Sequence, residues 1–233
     1  VLVPPSSAQE KPDKIIVATG QGLAPMIFRN QVGEPDGLCV DYWQIWSENT
    51  GVDVELRLMP WSEVIPALLA GKVDAADGVS FTPERDRFLD MTAPHIYVKT
   101  YIFYHKKIGS VRTMEDLSGF TVGAMKGSHV EGYLQKLLPK NAQPVFYKDY
   151  NSLAQAAAEG RIRLIVGADP GLPYQLARHG CVEEFRRVKD PLPGLGADLR
   201  VAVREGDTAL LSLLEKGFSA ISPEEKQAVY EKW

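Results

Sequence analysis

Between Trp61 and Arg85 the chain reads WSEVIPALLAGKVDAADGVSFTPER, a stretch carrying an aromatic ring, several hydroxyls and one guanidinium. Val64, Ile65, Leu68 and Leu69 recur at helical spacing, which predicts a short one-sided helix from Trp61. Gly71 suits the left-handed position that ends it, and Val73 to Ala76 reads as a strand. Ser80 or Thr82 is placed to cap a second helix beginning at Pro83. A strand-to-helix corner with hydroxyls, free backbone N–H groups and Arg85 suits a small anion, most simply a carboxylate. The same residues also admit a plainer reading, with Thr82-Pro83-Glu84 as a cap and Arg85 as a surface charge. A second corner of this type lies at Gly127-Ser128-His129, between a strand at Phe120 to Ala124 and a helix through Leu138.

Other chemistry-bearing residues are scattered. Asp77 could face a ligand or bond to its own turn, His95 follows Pro94 and reads as structural, and His129 sits at a helix start. Trp43 and Trp46 read as packing. Cys39 and Cys181 fit no metal spacing, so neither a metal site nor a cofactor is expected. A net charge of −4 over 233 residues and a pI near 5.7 leave no footprint for nucleic acid or an anionic membrane. No apolar run is long enough to span a bilayer. Ser7-Ala8-Gln9, after Val1 to Val3, is similar to the end of a secretory signal, so residues 1–12 are expected to be a leader and the protein exported.

The elements that must position these groups alternate. Strands are expected at Lys14 to Thr19, Val52 to Leu58, Thr100 to Tyr104, Pro144 to Tyr147, Leu164 to Ala168 and Arg200 to Val203. Helices are expected at Val40 to Thr50, Ser110 to Leu117, Ser152 to Glu159, Leu172 to His179, Thr208 to Ile221 and Pro223 to Trp233. Two such sets predict an α/β protein of two lobes with mostly parallel sheets, whose ligand sites lie beyond the carboxyl ends of the strands. The two corners would then converge on a cleft.

In this order the segments resemble the family 3 periplasmic solute-binding proteins, of the type II or Venus flytrap fold. The matching residues are Ala24-Pro25-Met26, Asp36-Gly37-Leu38, Val40-Asp41, Trp61 through Arg85, Met91-Thr92-Ala93-Pro94, Asp116-Leu117-Ser118-Gly119, Gly127-Ser128 and Ala158-Glu159-Gly160-Arg161-Ile162. The C-terminal Tyr230-Glu231-Lys232-Trp233 is similar to flytrap modules of membrane histidine kinases and diguanylate cyclases. The resemblance implies a lobe of residues 13–98 plus 197–233 and a second of 99–196, with crossovers near Tyr97 to Thr100 and Leu195 to Asp198. It implies Trp61 as a stacking platform, Ser80 and the Gly78 backbone as hydrogen-bonding groups and Arg85 as a carboxylate clamp. Gly127, Ser128 and His129 would donate from the second lobe. Two departures stand out. The acidic position expected opposite a ligand amine holds Ala168, with Asp169 one residue later, and the Asp expected after Gly160-Arg161-Ile162 is Arg163. The implied function is extracytoplasmic sensing of a small carboxylate-bearing solute, an amino acid being one such solute. The implied partner is the transmembrane signalling region of a parent protein, and a homodimer is compatible with it. The alternatives are a free transporter-associated binding protein, a cyclohexadienyl-dehydratase-like enzyme and a lobe pair that binds nothing.

Overall fold

The computed structural model describes residues 11–195 and 197–233; the expected leader lies outside the described residues save for its last two. The elements in chain order are β1 (Lys14–Gly20), β2 (Phe28–Arg29), β3 (Pro35–Asp36), α1 (Leu38–Thr50), β4 (Asp53–Met59), α2 (Trp61–Leu69), β5 (Ala75–Ser80), β6 (Leu89–Met91) and β7 (Ile96–His105). There follow β8 (Thr121–Met125), α3 (His129–Leu137), β9 (Gln143–Tyr147), α4 (Tyr150–Ala158), β10 (Leu164–Asp169), α5 (Gly171–Arg178), β11 (Phe185–Arg187), β12 (Ala197–Arg204), α6 (Thr208–Ser219) and α7 (Pro223–Lys232).

The main sheet runs β4-β1-β5-β12-β7-β10-β8-β9. Its first lobe has β4, β1 and β5 parallel, closed by antiparallel β12; its second has β9, β8 and β10 parallel, closed by antiparallel β7. The lobes join where β7 changes partner, pairing with β12 through Ile96 to Val98 and with β10 from Lys99 onward. This is the two-lobed type II binding-protein architecture.

Period-two alternation explains the first lobe's two faces. Ile15 and Val17 pack with Trp43, Trp46, Val201 and Leu214 on the face covered by α1 and α6. Ala18 packs with Trp61, Val64, Leu68 and Ala76 on the face covered by α2. Gly217 in α6 leaves room for the Trp46 indole, which donates to the Leu214 carbonyl at 3.1 Å.

Three local expectations need correction. Asp77-Gly78-Val79 is not a turn but lies inside β5. Gly78, at φ +83°, is an extra residue where the register against β12 shifts, a bulge only a residue free of Cβ strain adopts easily. The expected helix from Pro83 is a single 3₁₀ turn, Arg85–Arg87, in which Thr82 Oγ1 accepts from the Arg85 N–H at 3.2 Å. The segment Ser110 to Leu117 likewise shrinks to one 3₁₀ turn, Glu115–Leu117.

Candidate functional site

The two corners do converge. Trp61 begins α2, where its ring is 8 % exposed and lies over Gly20 and Gly78; a Cβ on Gly20 would sit 3.1 Å from the ring. Ser80 ends β5, and Arg85 follows on its 3₁₀ turn. From the second lobe, β8 delivers Gly127 at φ +72° and then Ser128 and His129 at the start of α3.

Across this seam the Gly127 carbonyl accepts from both Trp61 Nε1 (3.0 Å) and Arg85 Nη2 (2.8 Å), while Arg85 Nη1 donates to the Ser80 carbonyl at 2.7 Å. Ser80 Oγ and His129 Nδ1 are 3.1 Å apart, and Glu84 pairs with Lys136 at 3.0 Å on the outer rim. On the opposite rim Gln175 Nε2 donates to the Gly22 carbonyl at 3.0 Å, and Gly171 packs directly against Leu23. Both rims of the cleft are therefore joined.

Between them lies a cavity of about 70 Å³. Its wall includes the apolar Leu23, Trp61, Met125 and Ala168 and the neutral polar Thr19, Gln21, Ser80, Ser128 and Tyr150, with Gly78 at the bulge and His129 at the second-lobe corner. Burial, reinforced by the nearby Arg85 charge, pushes the His129 imidazole down to about 4 despite the opposing Leu195 backbone, so it is neutral at pH 7. Arg85 is 8 % exposed, and burial draws its guanidinium below the usual value, with only the Glu84 carboxylate acting against this. Among the described residues no carboxylate pairs with Arg85.

Not every expected residue reaches the cavity. Asp77 is 1 % exposed and points into the lobe core, where it accepts from Trp43 Nε1 at 2.8 Å and from the Gly78 N–H at 2.6 Å and lies 2.9 Å from His95 Nε2. Burial alone would raise its carboxyl, but the His95 charge and these hydrogen bonds outweigh burial and hold it below the usual range. Asp169 turns away to pair with Arg187, whose guanidinium also stacks 4.2 Å over Tyr101. Alternation along β10 is the reason: Ala168 faces the cavity, so its neighbour cannot. Arg85 borders an outer groove shared with Phe81 and Lys136 and does not line the cavity itself. Sequence reading missed Thr19, Gln21 and Tyr150 in the wall. The Gly20-Gln21-Gly22 break after β1 was the available signal, since ligands in such sheets sit at strand carboxyl ends.

Cys39 and Cys181 are buried and unpaired, Cys39 in the cavity wall. Among the described residues no His/Cys/Asp/Glu cluster has metal-site geometry, and no helix is long and apolar enough to cross a membrane.

A bilobed α/β fold with a cleft at the joined strand ends defines a solute-binding flytrap, and comparison with known proteins gives its family. The model for bacterial extracellular solute-binding proteins, family 3, matches residues 15–233, and the chain belongs to that family. The chain is 26% identical to the probable amino-acid-binding protein YxeM of Bacillus subtilis over 75% of its own length and 67% of that protein. It is 23% identical to the virulence sensor protein BvgS of Bordetella pertussis over 84% of its length but only 16% of the sensor. Among solved structures, a histidine kinase sensor domain with similarity to periplasmic binding proteins superposes with TM-score 0.86 at 27% identity, covering 95% of this chain and 96% of that one. An ancestral arginine-binding protein bound to arginine also gives 0.86, at 25% identity, covering 95% and 98%. The curated relatives named here carry names of binding or sensor proteins rather than enzymes.

Proposed function

We propose that this chain is an extracytoplasmic ligand-sensing module that takes a small carboxylate-bearing solute between its lobes and reports closure to the transmembrane region of a parent kinase or cyclase. The observation that carries this reading is the meeting of Trp61, Ser80 and Arg85 with Gly127 and His129 at one seam. Residues 13–98 with 197–233 move as one lobe and 99–196 as the other, bending where β7 changes partner. On opening, Arg85 Nη2 gives up the Gly127 carbonyl and offers that donor to a solute carboxylate, a charge-assisted hydrogen bond. Similarity over 95% of the chain to a histidine kinase sensor domain supports sensing over transport. Of the acid–base candidates Asp77, Asp169 and His129, both acids are engaged away from the cavity and only His129 lines it, which supports a non-catalytic role.

A second reading has its own support. The 70 Å³ cavity and the doubly bonded Gly127 carbonyl favour a lobe pair whose stable state is closed without solute. Isothermal titration against small carboxylates and amino acids, with small-angle scattering of the protein alone, separates the two. Saturable binding that Arg85→Met abolishes supports the first. Absence of binding across the panel, with Arg85→Met leaving signalling by the parent protein unchanged, refutes it.

A further inference from the structure

The wall of the cleft has a charge pattern that bears on which solute fits. On the first lobe Arg85 is a buried cation with no carboxylate partner among the described residues, its donors resting on the Ser80 and Gly127 carbonyls. A permanent positive charge whose hydrogen bonds all go to backbone carbonyls is poised for an anion. Glu84 and Asp198 line the outer groove that Arg85 borders, but the inner cavity holds no carboxylate side chain. Asp77 is fixed by Trp43, the Gly78 N–H and His95 behind β5. Asp169 is paired with Arg187. Asp149 is 2 % exposed, caps α4 by accepting from the Ser152 N–H at 2.8 Å, and lies behind the wall with its other oxygen 3.5 Å from the Gln21 amide, which shields it from the cavity. The cavity wall therefore contains no carboxylate, and its polar groups are hydroxyls, the Gln21 amide and the neutral His129.

Resting on the reading that this cleft takes a solute, we infer that the solute is a small monocarboxylate with a short apolar tail and no amine, rather than an amino-acid zwitterion. The carboxylate replaces the Gly127 carbonyl on Arg85. The tail lies against Trp61, Leu23, Met125 and Ala168, which belong to the apolar part of the wall. An α-ammonium brought into this wall would lose its water without meeting a counter-charge, and burying an unpaired ion is strongly unfavourable. The small closed volume argues for a short tail, because about 70 Å³ holds only on the order of five waters at roughly 10–15 Å³ of probe volume each, and a few carbons fill it.

The test is a set of matched pairs that differ only by the amine: propionate with alanine, butyrate with 2-aminobutyrate, and isovalerate with valine. Each is titrated calorimetrically into the protein at pH 7. The expected result is that at least one acid binds ten-fold or more tightly than its amino acid, and that Arg85→Met, shown to be folded by circular dichroism, loses that binding. If an amino acid binds as tightly as its paired acid, the inference fails while the solute-binding reading stands. If an acid binds equally well to Arg85→Met, the charge basis of the inference fails. If neither member of any pair binds, the inference fails, and the solute-binding reading falls with it only if the wider panel of carboxylates and amino acids also fails and Arg85→Met leaves signalling unchanged.

Discussion

Replacing Arg85 with methionine keeps a long apolar side chain while removing the two donors that hold the Ser80 and Gly127 carbonyls. Only the bond to Gly127 crosses the seam. A hydrogen bond from a charged donor is worth about 1.5–3 kcal/mol, and removing a buried cation returns part of its desolvation cost. A net weakening of closure by about 1.5–2 kcal/mol is expected, which shifts the open–closed equilibrium roughly ten- to thirty-fold. The readout is exchange of indole N–H protons, followed by NMR. The Trp61 indole donates to the same Gly127 carbonyl, whereas those of Trp43 and Trp46 donate to Asp77 and Leu214 inside the first lobe. Latch opening exposes Trp61 alone, so its exchange should quicken about ten-fold or more while Trp43 and Trp46 keep their protection. Equal acceleration at all three would mean that the variant only lowers global stability. No acceleration at Trp61 would mean that Arg85 does not hold the lobes together.

Three further outcomes are expected. The folded His129 pKa of about 4 lies below the ordinary value, so the unfolded chain binds the extra proton first. Its contribution is therefore present in full above pH ~6.5 and is lost as pH falls toward 4, at up to about 1.4 kcal/mol per pH unit; urea unfolding across that range should show this slope, and His129→Gln should flatten it. Asp77→Ala strands the Trp43 indole and leaves His95 without its partner, so chemical denaturation should show a loss of about 3–5 kcal/mol. Gly171→Ala places a Cβ into the Leu23 side chain and 3.2 Å from the Leu23 Cα across the far rim. Small-angle scattering should detect lobes held apart, with a stability cost of about 1–3 kcal/mol; an unchanged radius of gyration would show that Leu23 simply yields.

The fold was readable because its signals are local and repeated. Strands such as Lys14–Gly20 and Leu164–Asp169 carry β-branched or apolar runs stopped by glycine or proline, and the Ser222 and Asp149 helix starts carry capping boxes. The edge pieces β2, β6 and β11 were not, since two or three residues have too short a period to register. Pro83 misled for a related reason: proline permits a helix start but supplies no propagation, and Arg85-Asp86-Arg87 closes only one 3₁₀ turn before Leu89 joins β12. Of the candidate site, Trp61, Ser80, Arg85, Gly127 and His129 were legible as corner residues and do meet, Gly127 as an acceptor rather than the expected donor, while Ser128 donates to the Met125 carbonyl of its own lobe. Their partners across the seam were not, because those depend on how two separately folded lobes rest on each other.

Asp77 and Asp169 show where residue type alone misdirects. Both are acids near strand ends, and both read naturally as ligand contacts. One residue of register decides otherwise. The Gly78 bulge turns Asp77 inward to Trp43 and His95, and the pleat of β10 gives the cavity Ala168 instead of Asp169. The same register leaves Arg85 without a counter-charge of its own, and the protein meets that need with the carbonyl of Gly127, an oxygen carried by the opposite lobe. On the proposed reading, closure and a solute carboxylate compete for one donor, Arg85 Nη2. A solute that takes it would have to break that bond to enter, and its affinity would be its intrinsic attraction for Arg85 reduced by the free energy of opening.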